Sequence, residues 1–463
     1  MFSAEDYIGR RQCLQADVGS GLILFIGNGE SPINTPDNCH FFRQDSSFLY
    51  FWGLDIPHLA AVIDVDRGIE TIFGNDPSLE DLIWIGPREQ LSEQCRKVGV
   101  VRQLPLESLN GTLGDAIDKR RPIHYLPSYR MDQTVQLAEL LHINKAAVSG
   151  NASMALIRSV VRQRSAKSKA EVAEIEAAVA VNHAMQTAAM RMSVPGRYER
   201  EVVGAIEGIA YGRSGRRPPF ATIFSMHGQI LHNHGHTNQL QAGGLAICDC
   251  GAESPRGYAS DITRTIPVGG RFTSRQKEIY DIVLHMQADA LDAMRPGVPF
   301  KDVHLVAARR LVEDFKAIGL MRGDIDQMVE NGAFALFFPH GLGHMLGLDV
   351  HDMESLGEDH VGYSETFRRD HRFGLDRLRL AKPLMEGFVV TVEPGIYFIP
   401  QLIDQWRQER RFADQINYRK IDDYLGLGGV RIEDDVLISD TAAAVLGPPI
   451  PKTVAEVEDC CGR

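Results

Sequence analysis

The sequence predicts an α/β domain at the N-terminus followed by a larger α+β domain. Three observations predict this. At 463 residues the chain is too long for one ordinary core. Its first third alternates short apolar runs with helical stretches, the pattern of an α/β unit. Near residue 168 a new helix start appears, and beyond it helices and strand-like runs group differently. The boundary is placed between residues 1–165 and 166–463.

In the first domain the apolar runs GLILFIG, FRQDSSFLYFWG, LAAVIDVDRG, LIWIG and IHYLP read as strands. Residues 105–120 and 134–145 read as helices between or after them. The second domain opens with a capping box, Ser168 followed three residues on by Glu171, and its first helix is stopped at Val194-Pro195-Gly196. Further helices are expected over 199–211, 274–295 and 301–319. Strands are expected in GGLAICDCGAE, GYASDITRTIPVGG, MEGFVVTVEPGIYF and GGVRIEDDVLIS. The RSGRR cluster at 213–217 reads as a solvated loop, with substrate contact as the alternative.

Composition narrows the function. With 44% hydrophobic and 24% charged residues the chain has the make-up of a soluble globular protein. Its 61 acidic against 49 basic residues give a net charge of −12, a surface that repels phosphate backbones and anionic lipid. Nucleic acid and membrane are therefore not expected partners. Charges at Glu5, Asp6, Arg10 and Arg11 and a strand-length apolar run at 22–26 do not make a signal peptide, and no run of membrane-spanning length follows. Seven scattered cysteines, with Cys460 and Cys461 adjacent, read as reduced thiols in a cytoplasmic protein.

The stretch ICDCGAESPRGYASDITRT holds two kinds of metal ligand. Alternation along a strand puts Cys248 and Cys250 on one face and Asp249 on the other. No further cysteine or histidine follows at zinc-ligand spacing, so both cysteines are expected in the core. Asp249 in the middle of an apolar strand is costly to bury alone. A hairpin through GAESPRG would bring Asp261 beside it, where two carboxylates repel unless a cation lies between them. A pair of exposed strand acids is the alternative.

Downstream, FFPHGLGHMLGLDVHD carries His340, His344 and His351. The first two have zincin spacing, yet Gly341 stands where that motif has its glutamate, and the glycines make a poor helix. Glu393 ends FVVTV. Glu433, Asp434 and Asp435 follow Arg431, and Glu433 and Asp435 share its face; periodicity does not choose between them. Such carboxylate-rich surroundings with one or two histidines suit hard divalent ions and metal-assisted hydrolysis.

In their order, the motifs Asp-x11-Asp-Ile-Thr-Arg-Thr, Pro-His-Gly-Leu-Gly-His, Val-Glu-Pro-Gly and Arg-Ile-Glu-Asp-Asp resemble the pita-bread metallopeptidases, which include aminopeptidase P and prolidase. FRQDSSFLYFWGL is similar to a segment of their N-terminal domain, so nearly all of the chain is covered. The resemblance implies a catalytic domain of the pita-bread (creatinase/aminopeptidase) fold. It implies that Asp249, Asp261, His344, Glu393 and Glu433 hold two divalent ions, usually manganese, with Asp261 and Glu433 bridging, Asp249 on one side, and His344 and Glu393 on the other. Glu433 is preferred over its acidic neighbours because it follows Arg-Ile.

Glu393 would also handle the proton of the attacking water, and His351 would stabilise the tetrahedral intermediate. His340 and Arg431 match a histidine and an arginine of the family motifs, and Arg379 resembles the prolidase arginine that receives a substrate carboxylate. Of LHNHGH, His232 best matches the family's upstream histidine, with His234 and His236 as alternatives. The two aspartates are twelve apart where the family more often has eleven, so the turn at Ser254-Pro255 takes an extra residue. The expected activity is hydrolysis of Xaa-Pro bonds at the N-terminus of peptides. The alternatives are a strict Xaa-Pro dipeptidase and an inactive peptide-binding module. A homodimer is implied by the resemblance alone.

Overall fold

Short runs of leucine and β-branched residues build the first sheet of the protein, whose computed structural model describes residues 1–462. The strands are β1 (Leu22–Ile26), β4 (Ala60–Asp64), β5 (Ile69–Phe73), β6 (Arg102–Leu104) and β7 (Ile123–Tyr125), in the order β6-β5-β4-β1-β7. Separately, β2 (Pro32–Thr35) pairs with β3 (Asn38–Cys39). In the main sheet β1–β4 and β4–β5 are antiparallel, while the edge pairs β1–β7 and β5–β6 are parallel. Leu22, Leu24 and Val62 from the sheet pack with Leu109 and Leu113 of the helix Ser108–Asp118 and Leu137 of the helix Met131–Leu141. Each such side chain contributes roughly 1.5–3 kcal/mol when fully buried.

Two of the expected strands are helices. FRQDSSFLYFWG forms the helix Ser46–Trp52, because Asp45 accepts the Phe48 amide as N-cap and Gly53 ends it at φ 63°. All seven helical residues are buried, so the apolar face that would mark a helix is absent and the run imitates a buried strand. LIWIG lies at the end of the helix Leu79–Trp84, started by the Ser78–Asp81 capping box. None of its residues is buried.

The chain divides into two units, Met1–Arg164 with Met353–His360, and Ser165–Asp352 with Val361–Arg463. Among the described residues the second unit has the strands β8 (Ile223–Ser225), β9 (Leu245–Cys250), β10 (Ile262–Pro267), β11 (Val389–Val392), β12 (Gly395–Tyr397), β13 (Gly429–Arg431), β14 (Asp434–Ile438) and β15 (Ala443–Val445). They form three antiparallel sheets, β10-β9-β8, β11-β14-β15 and β12-β13. The helix Lys169–Met192 starts with the expected capping box. Its Asn182 and Gln186 amides donate to the carbonyls of Cys250, Cys248 and Ile262, closing the back of the first of these sheets. Among the described residues no helix is long and apolar enough to cross a membrane.

The helix Phe300–Ala317 buries His304 completely, against Phe334 and Phe338. Neither ring nitrogen has a hydrogen-bond partner among the described residues, and burial pushes the imidazole down to about 3. The folded protein therefore refuses a proton that the unfolded chain accepts below about 6.5, so stability falls as pH drops from 6.5 towards 3. His304→Leu should flatten that decline by up to about 1.4 kcal/mol per pH unit, read from urea midpoints measured across this range.

Candidate metal centre

Strand β9 and the turn after it decide which side chains of the opening motif meet. Cys248 and Cys250 lie on the face covered by the Lys169–Met192 helix, with the Cys250 sulfur 3.3 Å from Asn182 Oδ1. Asp249 points the other way, where its Oδ2 is 2.6 Å from Arg431. The register pairs Asp249 with Thr263 and continues to the bridge between Glu253 and Ala259, so the hairpin has no bulge. Asp261, two residues before Thr263, emerges on the face of Asp249. The longer turn is absorbed at its tip, where Ser254 N–H bonds Tyr258 O at 2.8 Å and Gly257 takes φ 84°.

The glycine-rich histidine segment lies directly on β11. A Cβ at Gly343 would stand 2.0 Å from the Thr391 carbonyl oxygen, so only glycine admits this approach. His344 is held there by its amide to Thr391 Oγ1 (3.1 Å) and by the Thr391 amide to its carbonyl (3.0 Å). The His344 Nδ1 faces the Met345 carbonyl at 3.0 Å and must carry the proton, because a carbonyl only accepts. Nε2 is left bare, 3.4 Å from Asp261 Oδ2 and 3.8 Å from Glu393 Oε1.

The three consecutive acids after Ile432 do three different things. Glu433 accepts from Thr263 Oγ1 at 2.6 Å and its carboxylate lies with Asp261 and His344, one ligand atom from each within 4.8 Å of the others. Asp434 turns to the opposite side; burial alone would raise it, but Arg264 and Lys452, each at 2.7 Å, hold it down at about 2. Asp435 accepts the Asp261 backbone amide at 3.0 Å and so orients that aspartate.

The site is a concentration of negative charge that does not balance itself. Burial first, and then the neighbouring carboxylates, push Asp261 and Glu433 well above the usual range, and burial also raises Glu393. Asp249 Oδ1 and Asp261 Oδ1 are buried with no hydrogen-bond partner among the described residues. Unpartnered oxygens converging with a bare imidazole nitrogen fit a divalent cation, which would relieve both the repulsion and the orphaned atoms.

A second network adjoins the acids. Arg431 donates to Asp249, to Thr263 Oγ1 (3.2 Å) and to the Tyr397 hydroxyl (2.9 Å), and that hydroxyl is 2.9 Å from His340 Nε2. His340 Nδ1 meets the Gly341 carbonyl at 2.8 Å, so both ring nitrogens are engaged, and burial keeps the ring neutral, down at about 3. Sequence reasoning missed Tyr397 and Thr263. A buried tyrosine in VEPGIYF signals that its hydroxyl needs a partner, but not which one.

The other expected residues fall around this centre. His351 packs edge-on against His344, ring centroids 4.3 Å apart, and is pushed down to about 2 by burial and then by His344 and Arg379. Arg379 is half-buried and acts electrostatically on His351, His232 and Glu393. His232 is exposed within reach of the charges of Arg431 and Asp249, whereas His236 bonds the Thr222 carbonyl at 2.9 Å and His234 is exposed.

Comparison with known proteins gives the family. Residues 173–440 match the model of metallopeptidase family M24, and residues 7–124 match that of the aminopeptidase P N-terminal domain. The chain is 31% identical to the Xaa-Pro dipeptidase of Homo sapiens, over 95% of this chain and 88% of that protein. It is also 31% identical to the Xaa-Pro aminopeptidase of Escherichia coli, over 98% and 97%. Among solved structures, Escherichia coli aminopeptidase P with the inhibitor Pro-Leu superposes with a TM-score of 0.81 at 28% identity, covering 100% of this chain and 98% of that one. Proline aminopeptidase P II from Yersinia pestis gives 0.82 at 28%, with both chains fully covered. The chain is a metallopeptidase of family M24 that carries the N-terminal domain of the aminopeptidase P type.

Proposed function

We propose that the protein is an Xaa-Pro aminopeptidase that removes the N-terminal residue from peptides with proline in second position. The observation that carries this is the buried cluster of Asp261, His344 and Glu433, with the orphaned oxygens of Asp249 and Asp261 beside it, in a chain similar to such peptidases along its whole length. Asp249, Asp261, His344, Glu393 and Glu433 would hold two ions. The oxygen-rich donor set favours manganese. Bound ions supply Lewis-acid polarisation of the scissile carbonyl and acidify the attacking water.

The protein's own groups do the rest. Glu393 takes the proton of the attacking water and returns it to the proline nitrogen, which as a tertiary amide has none of its own. His351 is neutral and offers an N–H to the developing oxyanion; such a donor is worth about 10²–10³ in rate. Arg431 neutralises part of the acidic cluster and, through Tyr397, fixes His340 against Glu393, whose Oε2 lies 3.8 Å from Nδ1. We place the enzyme in the cytoplasm as a homodimer, in keeping with the reduced thiols and the family.

A strict dipeptidase is the second reading. The charge of Arg379, which acts on Glu393 and His351, favours it as the receiver of a dipeptide carboxylate. Manganese-loaded protein should hydrolyse Arg-Pro-Pro at a rate comparable to Ala-Pro. Cleavage of Ala-Pro alone would establish the dipeptidase, and turnover of neither substrate with metal bound would sink both readings.

A further inference from the structure

Lys167 and Asp352 form an ion pair at 2.9 Å, and each side chain is only 1% exposed. A pair so deeply buried seldom stabilises a protein more than apolar residues of the same size would, so its presence calls for another explanation. Asp352 directly follows His351 and gathers the loop that starts at His344. Its amide donates to the Met345 carbonyl at 2.9 Å, and its Oδ1 accepts the Asp349 amide at 3.2 Å. The Gly347 amide in turn bonds Asp349 O at 3.0 Å, and a Cβ at Gly347 would lie 2.4 Å from Asp352 Oδ2. The loop is wrapped around this carboxylate.

Lys167 comes to it from elsewhere in the fold. Its amide bonds the Gly387 carbonyl at 2.7 Å, and Ala166 pairs with Phe388, so its backbone is pinned to the strand that runs through β11 to Glu393. The ammonium therefore ties the strand that delivers Glu393 to the loop that delivers His344 and His351. We infer that Lys167 is a positioning residue for the reaction: its ion pair with Asp352 sets where His351 stands relative to His344 and Glu393. This rests on the peptidase reading given above. His344 has its own anchors in Thr391 and is held largely without the pair.

The test uses the full chain with Lys167→Met, Asp352→Asn and the charge-neutral double variant, each loaded with manganese. The variants are expected to stay folded by circular dichroism and to bind manganese within about threefold of the parent. kcat on an Xaa-Pro peptide should fall about 100-fold with KM changed less than threefold, as for a catalytic group displaced by about an ångström. Amide hydrogen exchange in peptides spanning residues 345–352 should speed up at least tenfold. Folded variants with kcat within threefold of the parent, or with unchanged exchange in this loop, would overturn the inference. So would variants that fail to fold, or a kcat loss matched by equal loss of metal affinity, since either marks a purely structural pair. If the parent hydrolyses no Xaa-Pro substrate the peptidase reading fails, while the exchange result still decides whether the ion pair holds the loop.

Discussion

Asp261→Asn is expected to abolish turnover and to weaken divalent-metal affinity by more than about 100-fold, since even groups that only support ligands cost 10–100-fold when removed. The side chain faces His344 Nε2, shares its surroundings with Glu433, and has an oxygen with no hydrogen-bond partner among the described residues. The metal-free variant should nevertheless be as stable as the metal-free parent or more so. Burial and the charges of Asp249, Asp435 and Glu393 work against the Asp261 carboxylate, and a neutral amide removes one member of that repulsion while giving its neighbours a donor. Calorimetry in metal-free buffer and with added manganese separates the two effects. The parent should gain thermal stability on metal addition and the variant should not. Retained turnover with full metal affinity would remove Asp261 from the centre.

Gly343→Ala should cost about 1–3 kcal/mol of stability and lower kcat by about 100-fold. The added methyl group would meet a backbone carbonyl at 2.0 Å, which no rotamer change can relieve, so the histidine segment must lift away from β11 and take His344 with it. Gly341→Ala is the control. Its methyl group would approach Leu378 Cα and the Arg377 carbonyl at 3.3 and 3.4 Å, a contact that shifts of a few tenths of an ångström accommodate. Equal losses in the two variants, measured as kcat and urea midpoint, would mean that close approach to β11 is not what places His344.

The residues at the centre differ in how far local pattern reveals them. Asp249 was legible from strand alternation, because an acid flanked by two core cysteines in an apolar run has a single face to itself. Glu433 was not separable by period from Asp435, and the structure shows why: both point towards Asp261, one into the cluster and the other onto its backbone amide. The motif resemblance chose between them where alternation could not. The Ser46–Trp52 helix was misread because burial on every side erases the 3.6-residue period, leaving only the Asp45 cap as a sign. Tyr397 and Lys167 were invisible for a different reason: each acts through a partner distant in the chain, 34 and 185 residues away for Arg431 and Asp352.

Those separations also govern when the centre comes into being during synthesis. Asp249 meets Arg431 across 182 residues, Asp261 meets Asp435 across 174, and Thr263 meets Glu433 across 170. Contacts this remote close only after the intervening chain has been made and its ordering entropy met. A ribosome-bound chain that already displays Asp249, Asp261 and His344 still lacks Glu433 and its Arg431 neighbour, so it has acids without a cage. The cluster of Asp261, His344 and Glu433 is therefore completed only when the last strands of the chain have been made.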